Sequence, residues 1–339
     1  MKAAKIYGKR DIRVEEVAIP ELSKGMVVVK VEFAGICGSD LHEYSEGPFS
    51  IRTHSVMGHE FSGIVTEIGE GVTTVKAGDR VAVEPIIACG QCINCKKGYV
   101  NLCKARQGYG YTESGGFAQY AVVKQENVFK LPDEMSLELG ALVEPTAVAV
   151  HAVRESQLKL GDTAAIYGAG PIGLLLLQSV KAAGASMIFV VEVSEERRQK
   201  ALELGATFVL NPLECNIKTF IHSKTNGGVN VAFDVAGVQE TFLNGVTTVQ
   251  SGGEYKIVSL WENPVTFQPN AIVTAEISVS GSYAYRNLFP EVIRLLACGI
   301  IDGNAIITSV IPLDRIVEEG FEVLMKDHNQ CKILVEMDI

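Results

Sequence analysis

Three groups of residues carry side chains able to do chemistry. The first is split along the chain. Cys37, Ser39 and His42 fall close together in Gly35-Ile36-Cys37-Gly38-Ser39-Asp40-Leu41-His42, and His59 and Glu60 follow in Gly58-His59-Glu60-Phe61-Ser62-Gly63. A thiol, an imidazole and a carboxylate form a normal donor set for zinc, and a catalytic zinc keeps only three protein ligands so that one position stays open. Glu144 is a lone carboxylate in the apolar run Ala141-Leu142-Val143-Glu144-Pro145-Thr146-Ala147. Burying it costs roughly several kcal/mol unless it is paired or metal-bound. It is read as the third protein ligand of a catalytic zinc, with Glu60 as its rival for that position. An exposed turn acid before Pro145 is the plainer alternative.

The second group is Cys89, Cys92, Cys95 and Cys103, four thiols crowded onto one glycine-containing loop. Four thiolates can close a tetrahedral sulfur site, and a closed site does no chemistry, so this is read as a structural zinc lobe over about residues 86–105. An iron–sulfur cluster competes with that reading, but nothing else in the sequence points to electron transfer. Cys215, Cys298 and Cys331 sit among apolar neighbours and read as small buried hydrophobes.

The third group is Gly168-Ala169-Gly170-Pro171-Ile172-Gly173, which follows an apolar run at 164–167 and opens an apolar helix-like segment. Gly168 permits a tight turn, Gly170 lets the backbone approach a pyrophosphate, and Gly173 lets the helix lie close on a sheet. The pyrophosphate would rest on the helix N-terminus, at Gly170, Pro171 and Ile172. Glu192 ends the next strand, 19 residues beyond Gly173. Its carboxylate can accept hydrogen bonds from both adenosine ribose hydroxyls and repels a 2′-phosphate, which favours NAD over NADP. Arg197 is near enough to soften that preference, or belongs to an ordinary charged first helical turn.

These groups need elements to hold them. Residues 164–167, 187–192, 207–210, 229–235, 254–260 and 277–281 read as six strands, with helical stretches between the first four, and six is the number a full dinucleotide-binding sheet needs. Ala236, Ser259, Leu260 and Trp261 fall at strand C-terminal ends, where ligands of open α/β sheets bind; Trp261 reads equally as a packing residue. Residues 1–35 and 104–135 show the short alternating spacing of small antiparallel strands. After residue 282 come helices at about 288–298 and 313–325 and a strand at 332–336. The 339 residues leave room for about two domains. A net charge of −10 excludes a basic face for nucleic acid or an anionic membrane. No basic-plus-apolar leader and no long apolar run is present, so a soluble, cytoplasmic protein is expected.

Gly58-His59-Glu60, then Gly63, Gly69 and Val72, resembles the zinc signature of the medium-chain alcohol dehydrogenases, and the cysteine cluster and glycine turn lie in the matching order. Within that superfamily the chain is most similar to the polyol branch of sorbitol, 2,3-butanediol and threonine dehydrogenases. Residues 38–44, Val83-Glu84-Pro85 and Leu142-Val143-Glu144-Pro145 are similar to the butanediol members in particular. The resemblance implies an α/β fold, with a doubly wound Rossmann NAD-binding domain at 148–282. A mostly β, GroES-like catalytic domain is implied at 1–147 and 283–339. It implies two zincs per chain and oxidation of a secondary alcohol of a diol or polyol by NAD, reversible to ketone reduction. It also implies a proton relay through Ser39 and His42, with Glu60 and Glu144 able to exchange at the metal. Nicotinamide-side contacts are implied at Ala236 and 259–261, substrate contacts at Tyr285 and Arg286, and a homodimer or homotetramer paired through cofactor-domain strands. For Arg286 a solvated helix-start arginine is the alternative. Only 15 residues separate His42 from Gly58, a segment that is longer in butanediol enzymes and lies near their substrate entrance. A threonine or sugar-acid dehydrogenase on the same machinery is the second reading. A noncatalytic nucleotide-binding protein is the third, and the complete donor set argues against it.

Overall fold

Met26–Gly35, the valine-rich strand MVVVKVEFAG, is the centre of the first sheet. Val27, Val29 and Val31 turn into one core with Ile6, Phe61, Val65, Val81, Val83 and Phe117. The structure is a computed structural model that describes residues 1–48, 51–327 and 329–338. Phe49 and Ser50, inside the short segment between His42 and Gly58, lie outside the described residues.

The chain divides into two compact units, residues 1–144 with 289–339, and residues 145–288. The expected boundaries at 147/148 and 282/283 therefore move. Helix Val143–Arg154 runs through the first of them, and at the second the chain stays with the sheet until Leu288.

In the first unit, seven strands form one sheet. Ile307–Pro312, Lys332–Glu336, Met26–Gly35, Glu60–Ile68, Arg80–Val83 and Val128–Lys130 lie in that order, and Tyr120–Lys124 also pairs with Met26–Gly35. The expected helix at 313–325 is broken. Leu313–Arg315 is a 3-10 turn, Ile316–Phe321 a π-helix, and only Glu322–Lys326 is α-helical. The wider turn brings Gly320 so close to Ile36 that an added Cβ would fall 2.6 Å from the Ile36 side chain.

The second unit holds a six-stranded parallel sheet in the order Phe208–Leu210, Met187–Val191, Thr163–Tyr167, Val229–Asp234, Val249–Ile257, Ser278–Gly281. The order reverses beside the first strand, as in doubly wound dinucleotide-binding sheets. The fifth strand starts five residues before the expected 254, because its pairing shifts between Val229–Val249 and Val231–Glu254. It ends at Ile257, where the Val258 and Ser259 N–H groups turn to the Asp234 carbonyl. Among the described residues, no helix is long and apolar enough to cross a membrane.

Candidate active site

Strand register assembles the first group of residues. Met26–Gly35 and Glu60–Ile68 run antiparallel with Gly35 opposite Glu60, so Cys37, two residues past the strand end, meets His59 and Glu60. Any side chain at Gly35 would collide with the Glu60 carboxylate, which makes that glycine a condition of the site. One donor atom each from Cys37, His59 and Glu60 lies within 4.8 Å of the others. His59 and Glu60 are buried, and the mixed sulfur, nitrogen and oxygen set suits a divalent zinc.

The supports of these donors come from further away. Asp40 is fully buried; its Oδ2 accepts the Cys37 backbone N–H at 3.0 Å and its Oδ1 stands 3.5 Å from His59 Nδ1. Burial opposes charge on His59, but Tyr111, Asp40 and Cys37 outweigh it and hold the imidazole pKa well above its ordinary value. The pocket thus favours positive charge at this point. On the other side of Met26–Gly35, Leu334 stands opposite Gly35, which carries Lys332 to the same place. Lys332 Nζ donates to Glu60 Oε2 at 2.6 Å, Glu60 Oε1 at 3.0 Å and the Ile36 carbonyl at 3.0 Å. Burial alone would favour losing its proton, and the charges of Glu60 and Cys37 keep its pKa above the ordinary lysine value. Sequence reasoning missed Lys332, although a lysine opening the apolar run Ile333-Leu334-Val335 was a usable signal.

Ser39 Oγ is buried and meets no hydrogen-bond partner among the described residues. His42 lies half-buried on the same helix, Gly38–Glu46. Glu144 is half-buried in the first turn of Val143–Arg154 and is not one of the three converging donors; Glu60 occupies that place. The Glu144 charge does reach the Tyr111 hydroxyl.

The four clustered cysteines also converge. Cys92 and Cys95 sulfurs are 3.5 Å apart and those of Cys89 and Cys95 are 3.9 Å apart. Both distances are far beyond a disulfide bond and near the ~3.8 Å edge of a tetrahedron with ~2.3 Å metal–sulfur bonds. Backbone N–H groups of Cys95 and Lys104 lower the Cys92 pKa to about 6, and those of Gln91 and Cys92 lower that of Cys89. The loop's amides therefore favour thiolates at Cys92 and Cys89, while burial and the neighbouring sulfurs push the Cys95 thiol up to about 12, a repulsion that a bound cation would relieve.

In the second unit Gly168 takes φ +105°, and a side chain on Gly173 would strike the Gly168 carbonyl. Gly170 caps the helix Pro171–Ala182, with Pro171 in its first turn and Ile172 beside it. The buried Glu192 accepts N–H bonds from Ala169 at 2.8 Å, Val193 at 2.8 Å and Ser194 at 3.0 Å, which fixes its carboxylate against the glycine turn. The Arg197 guanidinium lies 4.0 Å from where a Gly170 Cβ would stand. Ala236 and Gly237 are held by the buried Asp234, which accepts both their N–H groups at 2.9 Å and the Tyr255 hydroxyl at 2.6 Å. Ser259 is tied to the Asp234 carbonyl, Leu260 is exposed, and Trp261 packs edge-on against Phe242. Tyr285 is fully buried, and Arg286 is ion-paired with Glu155 at 2.6 Å, so its charge already has a partner.

Family models match along the chain: an alcohol dehydrogenase GroES-like domain over residues 23–133 and a zinc-binding dehydrogenase domain over 171–298. The (R,R)-butanediol dehydrogenase of Bacillus subtilis (strain 168) is 46% identical over 99% of both chains. The crystal structure of 2R,3R-butanediol dehydrogenase from Bacillus subtilis superposes with a TM-score of 0.94, covering 99% of each chain. Sorbitol dehydrogenase of the same strain is 36% identical over 99% of this chain and 97% of its own. A zinc-binding dehydrogenase from Sinorhizobium meliloti 1021, solved bound to NADP, is 33% identical with a TM-score of 0.92 over 99% of this chain and 98% of its own. The seven-stranded sheet that gathers a thiol, an imidazole and a carboxylate and the doubly wound sheet of the other unit both lie within these matches, and the chain belongs to the zinc-binding medium-chain alcohol dehydrogenases, in the branch of butanediol and sorbitol dehydrogenases.

Proposed function

We propose that the protein is a zinc-dependent, NAD-linked dehydrogenase acting on a secondary alcohol of a diol or polyol, of 2,3-butanediol or alditol type, and running in reverse as a ketone reductase. The observation that carries this reading is the convergence of Cys37, His59 and Glu60 beside the unpartnered Ser39 hydroxyl. A zinc held by that set would supply Lewis-acid polarisation of the alcohol, and a bound NAD would supply the hydride acceptor. Cys37, His59 and Glu60 hold the metal, Asp40 fixes the imidazole from its Nδ1 side, and Lys332 fixes the Glu60 carboxylate. Glu144 stands in reserve for Glu60, directly or through water. Ser39 accepts the proton of the substrate hydroxyl and His42 passes it on to solvent, a task suited to an imidazole near neutral pH. Cys89, Cys92, Cys95 and Cys103 hold a second, structural zinc.

The cofactor preference rests on Glu192 and Arg197. Glu192 carries a fixed negative charge beside the glycine turn, where a ribose with free hydroxyls is accepted and a 2′-phosphate is repelled. The Arg197 guanidinium stands near the glycine turn, 4.0 Å from where a Gly170 Cβ would be, and its charge softens that repulsion without removing it. NAD is preferred over NADP. The open edge at Ser278–Gly281 supports a homo-oligomer built by strand pairing.

The test is NADH absorbance on mixing zinc-loaded protein with NAD and a panel of butane-2,3-diol stereoisomers, alditols, threonine and hexonates. Turnover of a neutral diol or alditol above the charged substrates is expected. Turnover of threonine or a hexonate alone would replace the substrate class. Tight NAD binding with no turnover and no zinc at the Cys37 site would defeat the dehydrogenase reading.

A further inference from the structure

Tyr111 belongs to no motif in the sequence, yet it stands against the donor cluster. Its ring stacks on the His59 imidazole, with centroids 4.7 Å apart and planes 29° from parallel. Its backbone is pinned on both sides: its N–H donates to the Gly108 carbonyl at 3.1 Å, and its carbonyl accepts the Arg52 N–H at 3.4 Å. Its Cδ2 lies 3.1 Å from where a Gly108 Cβ would stand, so the ring occupies space that a side chain at position 108 would crowd. The phenol oxygen lies in the field of His59, Cys37, Asp40 and Glu144, which come from three separate stretches of chain. None of the hydrogen bonds among the described residues uses that hydroxyl, and the residue is half-buried.

Two hydroxyls next to the donor residues thus meet no protein partner among the described residues: Ser39 Oγ, two residues beyond Cys37, and Tyr111 Oη, on the ring stacked against His59. A monohydric alcohol has one oxygen and can answer only one of them. A polar group left unmatched in a largely desolvated pocket costs affinity, and a site that hydrogen-bonds a substrate hydroxyl discriminates against the analogue lacking it. If Tyr111 served only as a platform for His59, a phenylalanine would do as well, and its hydroxyl would need no exit toward the other charged groups.

Resting on the dehydrogenase reading above, we propose that the Tyr111 hydroxyl hydrogen-bonds the second oxygen of the substrate, which makes Tyr111 a specificity-determining residue for vicinal diols and α-hydroxyketones over monohydric alcohols. Ser39 serves the oxygen that is oxidised, and Tyr111 serves its neighbour.

The experiment compares wild type with Tyr111→Phe on butane-2,3-diol and butan-2-ol. It measures kcat/KM with NAD, Kd of each alcohol for the enzyme–NAD complex by calorimetry, zinc content and melting temperature. The expected result is a loss of about 10–100-fold in kcat/KM and a matching rise in Kd for the diol. Butan-2-ol should stay within about twofold, with zinc content and melting temperature unchanged. An equal loss for both alcohols, a loss that follows zinc content, or no change with either would overturn the proposal and leave Tyr111 as a support of His59. Absence of turnover by wild type with every alcohol would instead defeat the dehydrogenase reading, and the calorimetric Kd values would then decide Tyr111 alone.

Discussion

The two metal-donor clusters are built in opposite ways. Cys89, Cys92, Cys95 and Cys103 come from one short loop, all four donors are the same, and their neighbours are the loop's own backbone amides. The Cys37, His59 and Glu60 cluster uses three different donors on two strand ends, backed by Asp40 on a helix and by Lys332, which is 272 residues from its partner Glu60. A local loop can be closed by its own turns. The dispersed set exists only if the sheet register is right, so stability and chemistry depend on different parts of one unit.

Substitutions can separate or join those dependences. The largest effect is expected from Cys37→Ala: turnover falls by about 10³-fold or more, because the metal loses a charged donor, while NAD affinity and melting temperature hold. A variant that also stopped binding NAD would break the division of labour between the units. Lys332→Met comes next and should affect both properties, since it leaves the Glu60 carboxylate buried without its cation, at about 3–5 kcal/mol. Chemical denaturation and zinc content read the outcome, and an unchanged denaturation midpoint would remove Lys332 from the site's support. Cys92→Ala should lower the melting temperature by roughly 3 °C, corresponding to about 2 kcal/mol in a chain of this size, yet leave turnover per folded molecule intact. Lost turnover with an unmoved melting temperature would reverse the roles given to the two clusters.

The smallest effect sharpens the boundary between them. Glu84 lies on the chain leading from Arg80–Val83 to the cysteine loop, and burial raises its carboxyl pKa to about 7. A folded-state pKa above the unfolded value means the folded protein binds more protons between about pH 4.5 and 7, so this contribution to stability is full below pH 4.5 and is lost as pH rises through 7. Glu84→Gln should flatten that slope and raise stability at pH 8 by about 1–3 kcal/mol, without touching kcat. Denaturation midpoints at pH 5 and pH 8 check it, and an unchanged slope would mean the carboxylate is solvated.

Local chemistry was legible in the sequence and non-local partnership was not. The cysteine loop, the glycine turn and Glu192 each consist of residues close enough in the chain for backbone geometry to unite them. Cys37 and His59 were legible as donors with Glu144 or its rival Glu60, but that Glu60 is the carboxylate brought to Cys37 and His59 was not, because it depends on Gly35 facing Glu60 across two strands. Arg286 carried a charge whose partner, Glu155, lay on another element. Trp261 stood where a ligand contact was expected, and its ring packs on Phe242. The helix expected at 313–325 had a good apolar period, and a tertiary approach at Gly320 overrode it with a π-turn. Tyr111 gave no signal at all, since a tyrosine in a glycine-rich stretch has the pattern of an ordinary turn.

The Lys332–Glu60 pair also sets an order of events during synthesis. The central strand Met26–Gly35 and its neighbour Glu60–Ile68 leave the ribosome early, but the strand that completes the other side, Lys332–Glu336, comes after the whole nucleotide-binding unit has been made. Until then Glu60 has no cation and the Phe33–Gly35 end of that strand is unpaired on this side. Closing a loop of this length is slow compared with local folding. In this order of synthesis the cysteine loop and the six-stranded parallel sheet are complete in sequence before Lys332 emerges, so the Cys37, His59 and Glu60 cluster is the last to gain its buried cation.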